Sequence, residues 1–280
     1  MKYAHKLCGM LLALALLCPT PASALSVSAS SAVLMDAERG EILFAKNSSE
    51  RHLIASTTKI MTALVALRHY APNETVAVSP RAAATEGSSM YLKSGEKLTV
   101  EELVSGLLLQ SGNDAAEALA EHAGDRAVFI SWMNDMAREI GMDDTSFENP
   151  SGLDGARHYS TAYDMALLAV YALQDPTVLR LCSTSRLDLP GRSFYNHNKL
   201  LKTVDGCIGL KTGYTRAAGR TLVSAAERNG RRLIAVTLQD GDDWKDHAAL
   251  YEFGFREDAL SAALAAWDRA RARADGTAER

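Results

Sequence analysis

Hydrophobic and polar positions change their period several times along the chain, and each change marks an element. Ser31 to Ala37 and Glu41 to Lys46 are short apolar runs on either side of Glu38-Arg39-Gly40, which predicts a hairpin. From Thr57 to Arg68 the period becomes helical, with Ile60, Met61, Leu64, Val65 and Leu67 on one stripe. Thr99 and Glu102 form a capping-box pattern ahead of Leu103 to Leu109. Further helices are predicted at Asp114–His122 and at Ala127–Ile140, the second closed by Gly141. Asp144 to Tyr159 lacks a period and carries Asn149-Pro150-Ser151-Gly152, so it reads as loop; Thr161 and Asp164 then open a helix running to Leu173. The last third returns to strands, with Thr221–Ala226 and Leu233–Leu238 flanking the hairpin dipeptide Asn229-Gly230. Strands at both ends with helices between them predict an α+β fold. Its antiparallel sheet is built from both ends of the chain, with helices packed on it and a mostly helical inserted region.

The two extremities depart from this pattern. Lys2 and Lys6 precede an apolar run from Leu7 to Cys18, then Pro19, Pro21 and Ala22-Ser23-Ala24. A basic start, a short apolar stretch and a small-x-small exit predict a secretory signal over 1–24, with one folded domain over 25–267. A helix near Asp258–Trp267 would carry Leu260, Leu264 and Trp267 on one stripe, for core packing or for membrane contact, and 268–280 reads as a polar tail. Export would leave Cys182 and Cys207 in an oxidising compartment, where they could pair or stay as buried thiols.

Composition narrows the function classes. Apolar residues are 47% and charged residues 23% of the chain, which excludes collagen, coiled coil and wholesale disorder. A net charge of −4, with no face evidently rich in Lys and Arg, argues against a nucleic-acid partner. The histidines form no H-E-x-x-H, the cysteines no C-x-x-C, and no phosphate-binding glycine loop is present, so neither a metal nor a nucleotide cofactor is expected.

Nucleophilic catalysis is better supplied. Ser56-Thr57-Thr58-Lys59 sets a hydroxyl and an amine three residues apart at a helix start, on one face and within reach of each other. A desolvated lysine can be uncharged and accept the serine proton in place of histidine. This spacing alone is common: Ser94-Gly95-Glu96-Lys97 also fits, and Lys93-Ser94-Gly95 imitates a K-[ST]-G triplet. Both lie in a polar glycine turn with no apolar helix behind them, and they read as turn chemistry. Ser111-Gly112-Asn113 falls between two predicted helices, where a loop can present both side chains. Lys211-Thr212-Gly213 opens the strand-rich end; a strand there can aim a cation and a hydroxyl at a carboxylate while glycine lets backbone approach closely. The order of the three elements along the chain makes coincidence a poor explanation.

With these residues the chain resembles the penicillin-recognising serine transpeptidase fold shared with serine β-lactamases. Within it, the chain is most similar to the low-molecular-mass D-alanyl-D-alanine carboxypeptidases. Leu53 to Thr62, Leu109 to Ala116, Asn149 to Leu153, His158 to Ala162 and Val204 to Gly213 carry the likeness, which spans roughly Ala32 to Gln239. The resemblance implies Ser56 as the acyl-forming nucleophile, Lys59 as its base and Ser111 as a proton relay to the leaving D-alanine. It implies Asn113 on the substrate amide, Lys211, Thr212 and Gly213 at the terminal carboxylate, and the backbone N–H groups of Ser56 and Tyr214 as the oxyanion hole. The partners implied are a peptidoglycan stem peptide ending in D-Ala-D-Ala and β-lactam antibiotics as covalent inhibitors.

Two departures matter. The sequence after Gly213 leaves no room for the second β-rich domain many relatives carry, which leaves membrane association open, and His197 stands where some relatives have Arg. The latter predicts weaker or more pH-dependent carboxylate binding. Rival readings are a β-lactamase using Glu148, a non-catalytic wall-binding module, and an endopeptidase acting on cross-links.

Overall fold

The computed structural model describes residues 25–256. The leader expected at 1–24, the helix expected at Asp258–Trp267 and the polar tail lie outside the described residues.

β1 (Ser31–Asp36) and β2 (Ile42–Lys46) form the first hairpin. A 3-10 turn at Ala55–Thr58 leads into α1 (Lys59–His69), so the expected helix starts as a tighter turn. A two-stranded ribbon, β3 (Thr75–Ala77) with β4 (Lys97–Thr99), precedes α2 (Val100–Leu109). Then come α3 (Asn113–Glu121), α4 (Arg126–Ile140), α5 (Ala162–Ala172) and α6 (Pro176–Ser183). A small hairpin follows, β5 (Arg186–Leu189) with β6 (Arg192–Tyr195), turning at Pro190-Gly191. The described residues end in β7 (Cys207–Thr215), β8 (Gly219–Arg228), β9 (Arg231–Asp240) and a helix α7 over 243–256.

The main sheet has the order β2-β1-β9-β8-β7, antiparallel throughout. Ala32 to Met35 of β1 pair with Thr237 to Ile234 of β9, which joins the two ends of the described chain. Side-chain alternation then builds two cores. Val33, Met35, Ile234 and Val236 face the helical body, whereas Ala32, Leu34, Leu233 and Ala235 face Leu250 and Tyr251 of α7. Every residue of β1 is therefore buried, and the sheet is the middle layer of three.

α1 is buried without interruption from Lys59 to Ala66, as expected of a helix surrounded by others. α2, α4 and α5 all pack against it. Local signals end the helices where the sequence placed them. Thr99 and Glu102 form the reciprocal capping box, Asp125 caps α4, and Gly141 at φ +86° closes it. The β8–β9 turn takes positive φ at both Asn229 (+54°) and Gly230 (+77°), the backbone that the right-handed twist of a hairpin favours.

Candidate active site

Three pieces of chain, the 3-10 turn, the Asn149–Leu153 loop and β7, meet at the N-terminal end of α1. The 3-10 turn carries Ser56, and one turn on, Lys59 points its Nζ to within 2.8 Å of Ser56 Oγ. Lys59 Nζ also donates to the carbonyl of Ser151 at 2.5 Å, so the Asn149–Leu153 loop supplies a second oxygen. Lys59 is fully buried. Burial, with the Lys211 charge nearby, drives its pKa well below the ordinary lysine value, while Asp114 opposes the shift. An amine in this state can accept the serine proton.

Ala55, just before Ser56, is held at φ +46°. A side chain in the left-handed region is strained, and here it presents Ser56 at a sharp bend. Two glycines make the bend possible. A Cβ at Gly152 would stand 1.9 Å from the Ala55 carbonyl oxygen, and one at Gly213 would stand 2.9 Å from the Ser56 nitrogen. Neither position can carry a larger residue without moving the Ser56 turn. Thr221 on β8 fixes the same turn from the sheet side, donating to the Ile54 carbonyl at 3.0 Å.

Ser111 follows α2 at φ +61° and is 4% exposed; Asn113 is the first residue of α3. Asn113 Nδ2 donates to the Glu86 carbonyl at 2.7 Å, and a Cβ at Gly87 would collide with that same amide. The neighbouring Asp114 organises the facing segment. Its carboxylate accepts from Ser89 Oγ (2.6 Å), Met90 N–H (3.0 Å), Leu92 N–H (3.0 Å) and Ala115 N–H (2.9 Å). A buried carboxylate with four donors is satisfied, and it locks the Ser111 loop to the 88–92 segment.

On β7, Lys211 is 2% exposed and donates to the Thr212 carbonyl at 2.9 Å. Burial lowers its pKa to about 8. His197 is exposed on the segment between β6 and β7, and desolvation of its ring together with the Lys211 charge holds it below the ordinary histidine range. Tyr214 is exposed at the cleft rim. The structure thus gathers Ser56, Lys59 and Gly213 about one turn. Lys211 lies close enough to Lys59 for the two charges to interact.

The look-alike motifs stand elsewhere. Ser94-Gly95-Glu96-Lys97 is a turn, with Gly95 at φ +80° and Glu96 N–H donating to the Lys93 carbonyl at 3.0 Å, leading into β4. Glu148 is occupied by Arg157, whose Nε and backbone N–H donate to the two carboxylate oxygens at 2.9 Å each. Cys182 and Cys207 are free thiols, and burial pushes Cys182 up to about 12. Asp114 and Gly152 were not picked out in the sequence as site residues. Asp114 follows Asn113 directly, and a buried acid beside such a triplet is the signal that could have found it.

The sequence profile of the D-alanyl-D-alanine carboxypeptidases matches residues 19–242. The chain belongs to that family. It is 39% identical over 227 residues to the D-alanyl-D-alanine carboxypeptidase DacF of Bacillus subtilis, covering 77% of this chain and 58% of the relative. It is 34% identical over 235 residues to DacB2 of Mycobacterium tuberculosis, covering 80% of this chain and 81% of that one. The chain therefore spans little more than half the length of DacF and most of DacB2. Among solved structures it is similar to a D-alanyl-D-alanine carboxypeptidase of M. tuberculosis H37Rv, with a TM-score of 0.80, 33% identity, and coverage of 84% of this chain and 95% of that one. It is also similar to penicillin-binding protein D2 of Listeria monocytogenes in its ampicillin-bound form, with a TM-score of 0.76, 33% identity, and coverage of 82% of this chain and 99% of that one.

Proposed function

We propose that this protein is a serine D,D-carboxypeptidase that removes the terminal D-alanine from peptidoglycan stem peptides. The observation that carries the reading is the buried Lys59 amine 2.8 Å from Ser56 Oγ, in a setting that favours its uncharged form. Ser56 Oγ attacks the carbonyl of the penultimate D-alanine while Lys59 Nζ takes the hydroxyl proton. The oxyanion that forms is held by the backbone N–H groups of Ser56 and Tyr214. As the C–N bond breaks, a proton passes through Ser111 to the leaving amine, and D-alanine departs. Water then hydrolyses the Ser56 ester and returns the hydroxyl.

Asn113 holds the substrate amide, and Lys211, Thr212 and Gly213 receive the terminal carboxylate. With His197 uncharged near neutrality, Lys211 supplies the positive charge of that subsite. β-Lactams enter the same site and acylate Ser56. A stem-peptide substrate lies outside the cytoplasmic membrane, which agrees with residues 1–24 acting as an export signal. The Glu148–Arg157 pairing weighs against a hydrolytic glutamate of the β-lactamase kind.

The test is to incubate the protein and its Ser56→Ala variant with a muropeptide ending in D-Ala-D-Ala and to weigh the products. Loss of one D-alanine with the wild type and none with the variant is expected. An untouched pentapeptide beside a cleaved cross-linked dimer would replace the reading with an endopeptidase.

A further inference from the structure

His158 lies outside the three motifs, yet it is 1% exposed and sits directly beneath the nucleophile turn. Its Nδ1 faces the backbone N–H of Glu148 at 3.1 Å and the amide of Asn149 at 3.5 Å. Both are donors, so Nδ1 must be the unprotonated nitrogen and Nε2 must carry the hydrogen. Nε2 in turn lies 2.8 Å from Thr58 Oγ1, and Thr58 stands between Ser56 and Lys59. One imidazole thus bolts the start of the 148–153 loop to the turn that presents the nucleophile.

That loop supplies the carbonyl that Lys59 touches. Asn149 Oδ1 accepts from the N–H groups of Ser151, Gly152 and Leu153 and from Ser151 Oγ, which shapes the loop so that the Ser151 carbonyl points at Lys59 Nζ. Gly152 packs on the Ala55 carbonyl. Nothing in this arrangement brings His158 to the reacting atoms. It acts on the position and dryness of Lys59.

We infer that His158 is a positioning residue that keeps Lys59 in its desolvated, proton-accepting state by clamping the Asn149–Leu153 loop to Thr58. This rests on the reading of Ser56 and Lys59 as nucleophile and base. The charges that face the imidazole are Glu148, Asp154 and Lys59. The first two favour a proton on it and Lys59 opposes one, while burial holds it at about 4. Two donors already face Nδ1, so a neutral ring is the form that fits. Loss of the ring lets water reach Lys59 and relieves the desolvation that lowers its pKa.

The experiment measures the rate of acylation by a fluorescent penicillin across a wide pH range, with D-alanine release followed alongside. In His158→Ala the acid limb of the acylation profile should move up by about one unit, with a rate loss of about tenfold or more near neutrality. His158→Gln keeps a neutral donor that reaches Thr58 and should hold the limb near its wild-type position. Thr58→Val cuts the same bond from the other side, so it should shift the limb as His158→Ala does, and the double variant should shift it no further. An unmoved limb in both His158→Ala and Thr58→Val, or shifts that add, would overturn the inference. Should His158→Ala fail to fold, Thr58→Val and His158→Gln carry the test. Wild-type protein that acylates but releases no D-alanine would refute the carboxypeptidase reading while the clamp is still decided by the limb.

Discussion

Two buried lysines whose charges interact must do opposite things under the proposed mechanism. There Lys59 has to be uncharged to accept a proton from Ser56, whereas Lys211 has to be charged to hold a carboxylate. Both are buried, and burial lowers both. Activity should therefore rise with pH as Lys59 loses its proton and fall again as Lys211 discharges through about 8. Lys211→Arg keeps a cation at any accessible pH. The expected result is an alkaline limb of kcat/KM displaced upward by at least one unit, with the acid limb in place, read from D-alanine release against pH. The motif residues themselves were legible in the sequence because their chemistry is unusual in combination. His158 was legible only as part of a family stretch. A lone histidine gives no sign of which partners it will meet, and its partners Glu148, Asn149 and Thr58 lie ten, nine and a hundred positions away.

At the scale of elements, the site is a matter of close approach. The 3-10 turn, the Asn149–Leu153 loop and β7 come together at two glycines, and Thr215 Oγ1 adds a 2.7 Å bond to Asp154 that closes the rim. A methyl group at Gly152 would overlap the Ala55 carbonyl, and the glycine also sits at φ +87°. Gly152→Ala should therefore displace the nucleophile turn, lowering the acylation rate at least tenfold and the melting temperature by several degrees. A variant with wild-type acylation would show that the turn can relax without consequence. The helices from α1 to α5 and the terminal hairpins were readable from period and caps, whereas α6 was not predicted. The entry to α1 was not, because a 3-10 turn and an α-helical turn share nearly the same side-chain spacing. The β5–β6 hairpin and α7 were also missed, although Pro190-Gly191 marks the hairpin turn.

For the molecule as a whole, the sheet joins the ends of the described chain, and a polar lock holds that junction. Asp246 accepts from the N–H groups of Ser28 and Ala29, and Ser28 Oγ bridges Asp246 to Asp240. Across the sheet, Ser224 Oγ meets His247 Nδ1 at 2.7 Å and the Tyr251 hydroxyl at 2.6 Å, which fixes α7. One atom of the lock is unsatisfied: Asp240 Oδ2 is buried without a hydrogen-bond partner. Burial, with the charge of Asp246 beside it, raises Asp240 to about 6. An unfolded aspartate ionises near 3.8, so the folded state keeps a proton longer, and the stability this gives is lost as pH rises through about 6. Asp240→Asn removes that loss. It should raise the melting temperature by a few degrees above pH 6 and leave it nearly unchanged at pH 4, as seen by thermal melts at the two values. The α+β class and the sheet shared by both chain ends were legible from strands at the two extremities, but the lock was not, since Ser28 and Asp246 stand 218 positions apart.

The claim beneath all of this is that Ser56 is the nucleophile, chosen by its geometry over other serines with similar neighbours. The most direct measurement is to treat the protein with a penicillin, digest it with trypsin and locate the added mass. Cleavage after Arg51 and Lys59 isolates His52 to Lys59, and the account predicts the adduct on that peptide, at Ser56, and none in Ser56→Ala. An adduct on the peptide carrying Ser94 or on that carrying Ser111, or its persistence in Ser56→Ala, would contradict it.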